Sequence, residues 1–305
     1  MSTEPGSSAR ERMARLEQTP WERTVGGSTD VQSWRNSVHF LVSRRELLDL
    51  LIRRDLKAKY KDSVLGFFWS LARPLMLLLI YFVVLGRFLQ ADRGIPNFGV
   101  YIFTGIVIIG LFTEIVVGAT GSVLANAGLV KKVALPREVF PLASVGSAFF
   151  NFAIQLAILL IATAVTASFP LHWDIFYAVP ALLIVGVYGT ALGLLFSAMN
   201  VYLRDVQYLV EVGVMLLFWA SPVVYSWAMA RAQISSSFLI EVYTNNPLTL
   251  AVLGFQRAFW LPSESLEQPS FLLLRMAVAC TIGVALLLVF HRAFLKMQGN
   301  FAQEL

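Results

Sequence analysis

Hydrophobic residues in this chain gather into six long blocks separated by short polar stretches. The blocks run over positions 64–89, 99–125, 139–168, 175–200, 206–228 and 271–294. A helix needs about 20 mostly apolar residues to cross a bilayer, so each block is long enough to be a membrane span. The pattern predicts an all-α integral membrane protein with six transmembrane helices, which puts both ends of the chain on the same side. Between the fifth and sixth blocks, residues 229–262 carry apolar stretches too short to cross, interrupted by Asn246, Pro247, Trp260 and Pro262. These predict short re-entrant helices dipping back from the outer face.

Ahead of the first block, Glu46 to Lys61 reads as an amphipathic helix. Leu47, Leu48, Leu51, Ile52 and Leu56 fall on one face, and Arg53, Arg54, Lys57 and Lys61 on the other. Such a helix lies in the membrane interface. Asp55 and Lys59 interrupt its apolar side at i, i+4 with the acid first, the order that favours a local ion pair and hints at a protein neighbour as well as lipid. The resulting division is a cytosolic tail over 1–35, expected to be disordered, and an interface-helix region over 36–63. A six-helix membrane domain follows over 64–294, with a cytosolic end over 295–305. A loop at about 126–140 and the outer segment at about 229–262 belong to the membrane domain.

Charge orients the whole. Of 24 Lys and Arg residues, twelve precede position 64, which places the N-terminus in the cytoplasm. Lys131, Lys132, Arg137, Arg204, Arg292 and Lys296 then fall on the same side. Arg87, Arg93, Arg231, Arg257 and Arg275 fall on or near the outer side, so the bias is a majority. Residues 1–35 have no apolar core of signal-peptide type. Their arginines are interleaved with Glu11, Glu17 and Glu22, which argues for a solvated tail and against nucleic-acid binding.

Composition narrows the function. The chain is 57% hydrophobic and 14% charged, with a mean hydropathy of +0.68, outside the range of a soluble domain. The lone Cys280 lies in an apolar run, and His39, His172 and His291 show no metal-ligand spacing, so neither a disulfide framework nor a zinc site is expected. No G-x-x-x-x-G-K-[ST] segment occurs, so the chain has no phosphate-binding loop of its own. No nucleophile and base stand in a recognisable catalytic pattern either. A membrane transferase using scattered acids and an ion-coupled secondary transporter are the rival classes. The latter is expected to show paired broken helices carrying ion ligands, and no internal repeat is evident.

Ionisable groups inside the spans mark candidate function, because they are costly in hydrocarbon. Arg73 follows Phe67, Phe68 and Trp69 and precedes Pro74, which loosens the helix. Either these residues line a wet passage, with the aromatic faces stacking on sugar rings, or they form an interfacial belt. Glu114, between Gly110 and Gly118, serves either packing or a passage, and Glu211 lies near the inner surface. The Gly189, Gly193, Ser197 stripe predicts close helix packing.

Four segments, taken in order, resemble the permeases of ATP-binding-cassette exporters of lipid-linked polysaccharides, the O-antigen, teichoic-acid and cell-wall galactan class. They are Arg54-Asp55-Leu56-Lys57 with Lys59-Tyr60-Lys61, Leu65-Gly66, Trp69 and Arg73-Pro74-Leu75; Leu129-Val130-Lys131-Lys132-Val133 with Leu135-Pro136-Arg137-Glu138-Val139; Arg204-Asp205-Val206 with Ala220-Ser221-Pro222-Val223-Val224-Tyr225; and Asn246-Pro247-Leu248-Thr249 with Phe255 and Arg257. The resemblance spans residue 44 to the end. It implies a homodimer of permeases joined to two copies of a nucleotide-binding ATPase subunit, which holds ATP and Mg; the chain itself is then a transport subunit and not an enzyme. It further implies a substrate channel at Phe67, Phe68, Trp69, Arg73 and Glu114, and coupling to the ATPase through Lys57, Lys59, Lys131, Lys132, Pro136, Arg137 and Glu138. Pro222, Tyr225, Asn246, Pro247 and Arg257 are implied at an outer gate. A permease of the same class that exports drugs or lipids is the closer competitor. The long tail before residue 36 is not covered by the resemblance.

Overall fold

The computed structural model describes residues 45–60, 68–88, 95–132, 135–166, 169–260 and 267–305. The expected tail and the residues on either side of the first helix lie outside that set. Among the described residues all regular structure is helical. In chain order the helices are α1 Arg45–Tyr60, α2 Phe68–Ile80, α3 Phe98–Ala125, α4 Ala127–Lys132, α5 Val139–Val165, α6 Ala178–Tyr202, α7 Val206–Trp219, α8 Trp227–Gln233, α9 Ser237–Thr244, α10 Pro247–Phe259, α11 Leu272–Met297 and α12 Phe301–Glu304. A short tight turn of helix, Trp173–Tyr177, leads into α6.

Four of these elements are long and apolar enough to cross a membrane: Phe98–Ala125, Val139–Val165, Trp173–Tyr202 and Leu272–Asn300. They match four of the expected spans closely. The first expected span, 64–89, appears as α2 running through Pro74 and continuing in wide π turns over Tyr81–Phe88, so the loosening expected at Pro74 comes one to two turns later. The fifth, expected over 206–228, is corrected: α7 stops at Trp219. Its 14 residues span about 21 Å, short of a hydrocarbon core of about 30 Å. Pro222 has no N–H to give to a further turn, and residues 220–226 leave the helix.

The helix α3 is the axis of the bundle. Most of its residues from Phe98 to Val123 are buried, and α5, α6, α7 and α10 pack around it. Close approach to α6 depends on the small-residue stripe. A Cβ on Gly189 would stand 2.8 Å from Ile115 Cγ2, and one on Gly193 would stand 2.7 Å from Ala119 Cβ. The Ala119 atom is fixed to its backbone and cannot swing aside, so Gly193→Val forces the two helices apart. Overpacking of this kind costs about 1–3 kcal/mol, and the variant is expected to lose thermal stability in detergent while a Gly128→Ala control, which meets open space, does not.

The two ends of the bundle are built differently. At one end, which carries α1, α4 and the chain's C-terminus, a separate apolar cluster joins Val123, Val130, Phe140, Leu194, Phe294 and Phe301. The apolar face of α1 also lies here. Leu51 packs with Val139 and Ala143 of α5, and Ile52 sits so close to Gly146 that a Cβ there would collide with its Cδ1. The protein neighbour hinted at by the sequence is therefore α5. At the opposite end, α8, α9 and α10 form a cap of short helices. Within it α10 is buried along most of its length and belongs to the main core.

Candidate coupling end and interior polar cluster

The loop between α4 and α5 displays some of its charge and hides the rest. Lys131 and Lys132 are exposed at the last turn of α4, where cations suit the negative end of a helix. Lys57, on α1, is exposed as well. Pro136 and Arg137 are half-buried; the Arg137 guanidinium lies 5.8 Å over the Phe301 ring, and burial draws its pKa below the ordinary value. Glu138 is 2% exposed and turns inward, with its Oε2 2.6 Å from His291 Nε2 on α11. The expected coupling set thus divides into surface lysines and a buried fastening between the loop and the last long helix. Reversing the surface charges with Lys131→Glu and Lys132→Glu leaves the core untouched. The variant is expected to fold and melt like the parent and to lose stimulation of a bound ATPase, read as hydrolysis rate in the purified complex.

Lys59 is engaged elsewhere. Its ammonium donates to Glu114 Oε1 at 2.7 Å, and Asn151 Nδ2 on α5 donates to the same oxygen. Glu114 is eleven residues from the end of α3, about 17 Å along the axis, so the ion pair meets the middle of that helix, with the Lys59 and Glu114 side chains 48% and 31% exposed. The expected Asp55–Lys59 pair is replaced: Asp55 accepts from Arg54 Nη2 at 2.7 Å, and the same nitrogen donates to Asn126 Oδ1 at 2.6 Å. Arg54 therefore fastens α1 to the α3 terminus while Lys59 reaches the middle of α3. A carboxylate and an ammonium at this depth each offset the cost of the other, with the Asn151 amide adding a hydrogen bond. Of the other expected channel residues, Phe67 lies outside the described residues, and only the helical backbone is described at Phe68, Trp69 and Arg73. Glu211 is exposed and accepts from Gln207 Nε2 at 3.0 Å.

At the opposite end, the break after α7 is held by groups that satisfy its backbone. The Tyr101 hydroxyl donates to Pro222 O and Tyr225 O, at 3.1 and 2.8 Å, and Gln256 Nε2 donates to Pro222 O at 2.9 Å. Ser221, Pro222, Val223 and Val224 are buried, and non-helical backbone is tolerated at depth only with such partners. Asn246 caps α10 by accepting from Leu248 N at 3.0 Å, with Pro247 in the first turn, where its missing N–H costs nothing. Arg257 binds Asp174 Oδ2 at 3.2 Å and lies 4.4 Å over the Tyr177 ring. A second clasp joins Arg275 to Glu241 at 2.6 Å, and the guanidinium holds that carboxyl below its usual pKa. Pro222 and Tyr225 thus meet at one end of α10's environment, Asn246 and Pro247 start that helix, and Arg257 ties its far end to the turn before α6.

The residues missed from sequence are Tyr101, Asn151, Gln256 and His291. Each is a polar side chain in an apolar run, a signal available beforehand for Asn151 and Gln256. Their partners are 37 and 34 residues away, so the roles were not.

Comparison with known proteins accords with this architecture. The family model for the ABC-2 type transporter matches residues 46–260. The O-antigen export system permease protein RfbA of Klebsiella pneumoniae is 28% identical over 262 residues, covering 85% of this chain and 95% of the relative. RfbA of Myxococcus xanthus is 27% identical over 268 residues, covering 88% and 98%. The capsule polysaccharide export inner-membrane protein BexB of Haemophilus influenzae is 26% identical over 163 residues, covering 52% and 60%. With the family model matched from the interface helix α1 through the end of α10, the chain belongs to the ABC-2 type transporter family.

Proposed function

We propose that this chain is the membrane permease subunit of an ATP-driven exporter, and that its cargo is a lipid-linked polysaccharide leaving the cytoplasm. The observation that carries the reading is similarity along almost the whole length of relatives named as O-antigen export permeases, in a chain with no phosphate-binding loop. ATP and Mg then belong to a separate subunit, present in two copies beside two copies of this chain. The working arrangement has six crossings, the fifth made by α7 together with the unwound segment 220–226, with both termini and α4 in the cytoplasm of a cell whose inner membrane holds the complex. In that orientation Lys131 and Lys132 face the ATPase, and the cap of α8, α9 and α10 serves as the outer gate. Nucleotide binding shifts α4 and α1, and the glycan passes along an aromatic wall that includes Phe67, Phe68 and Trp69, by weak repeated stacking. Arg73 and Glu114 border the same passage, with Glu114 paired to Lys59.

Purification of the tagged chain from its native host tests this directly. A stoichiometric P-loop ATPase in the preparation, together with ATP-dependent uptake of polyprenyl-linked glycan into inverted vesicles, is the expected result. A chain that purifies without any nucleotide-binding partner overturns the assignment and revives an ion-coupled mechanism.

A further inference from the structure

The segment joining α5 to α6 is inside-out for a loop that meets water. Within residues 169–176 the polar side chains face the protein: Asp174 is 22% exposed and bound to Arg257, and His172 Nε2 is buried. Its apolar side chains face away. Leu171 and Trp173 are each 87% exposed, Phe176 is 62% exposed, and Phe169 and Ile175 are exposed beside them. Trp173 and Phe176 stand 6.0 Å apart and form one aromatic surface. The adjoining helix ends also turn apolar side chains outward, Val165 at 81% and Val179 at 56%.

From this arrangement we infer that residues 169–176 form a membrane anchor, with Trp173, Phe176 and Leu171 seated among lipid headgroups and upper acyl chains. Three observations select lipid as the occupant. The segment lies between two helices long enough to span, which fixes it at the edge of the hydrocarbon. Its apolar face extends the surface those helices offer to acyl chains. Its Trp173 favours the interface, since an amphipathic indole gains from a wet edge and an oily face together, and Phe176 and Leu171 supply apolar surface beside it. The same turn carries Asp174 and Tyr177, which hold Arg257 of α10, so the anchor fixes the buried short helix relative to the bilayer surface. The inference is independent of the cargo and requires only that the long helices cross a membrane.

A nitroxide label reads this in the full chain reconstituted into phosphatidylcholine vesicles. Cys280 is replaced by serine, and one cysteine is placed at Trp173→Cys, with Val165→Cys as a lipid reference and Glu267→Cys as a water reference. The expected result is relaxation of the 173 label by oxygen in preference to a water-soluble nickel chelate, at a depth of roughly 5–10 Å. Accessibility to nickel equal to that at 267 overturns the anchor and leaves a solvent-exposed loop. Exclusion of both reagents also overturns it, because the patch is then covered by protein, a second copy included. A Phe176→Cys label repeats the measurement in case the Trp173 variant does not fold.

Discussion

Exchanging the charges of Lys59 and Glu114 is expected to preserve what either single reversal destroys. Lys59→Glu sets two carboxylates in contact between α1 and α3, and Glu114→Lys sets two ammonium groups there. Both side chains are partly exposed, so the cost is that of like charges in contact at a partly hydrated site. Each single variant is therefore expected to lose thermal stability and, in the complex, export. The double variant restores opposite charges, and the Asn151 carboxamide can turn to offer its oxygen to the new lysine. Thermal inactivation of the four proteins in detergent, treated as a cycle, measures the coupling. Equal damage in the double variant and the singles would show that the 2.7 Å contact does not fasten α1 to α3.

Removing the carboxyl of Glu138 is expected to disconnect the α4–α5 loop from α11. The residue is 2% exposed, so Glu138→Ala leaves a void and an imidazole nitrogen without its partner, a cost of about 1–3 kcal/mol. Glu138→Gln keeps the shape and can keep a hydrogen bond to His291. Alanine is therefore expected to lower the melting temperature by several degrees and to cut export per ATP hydrolysed, while glutamine stays near the parent in both. His291→Ala is expected to reproduce the alanine phenotype from the other side of the pair. If glutamine and alanine are equally impaired while His291→Ala is silent, Glu138 acts through something other than α11.

Both predictions concern residues whose partners are distant in the chain, and that separates what was legible from what was not. Four of the six expected spans were readable from uninterrupted apolar runs, because a helix in lipid satisfies its own backbone and needs little from its neighbours to be recognised. The short helices before α11 were readable from Asn246-Pro247 and from runs too short to cross. The end of α7 was misjudged because Val223 and Val224 are as apolar as a span. Pro222 withholds an N–H there, and the hydroxyl of Tyr101 and the amide of Gln256, arriving from α3 and α10, satisfy the carbonyls of the unwound segment, which local apolarity does not reveal.

By itself the sequence determined that this is an all-helical membrane protein, with a basic amphipathic helix ahead of the first span, a basic loop and no P-loop motif. Those are properties of local composition and period, which act wherever the chain lies. Only the tertiary structure decided which charges meet. Lys59 could pair with Asp55 one turn away on its own helix, and Glu138 could face solvent with Lys131 and Lys132. Packing of α1 on α5 and of the loop on α11 instead brings Glu114 and His291 within reach. At buried Glu138 the low-dielectric surroundings make a partner from another helix outweigh the local alternative, and at partly exposed Lys59 the packing of α1 on α5 sets which acid is within reach.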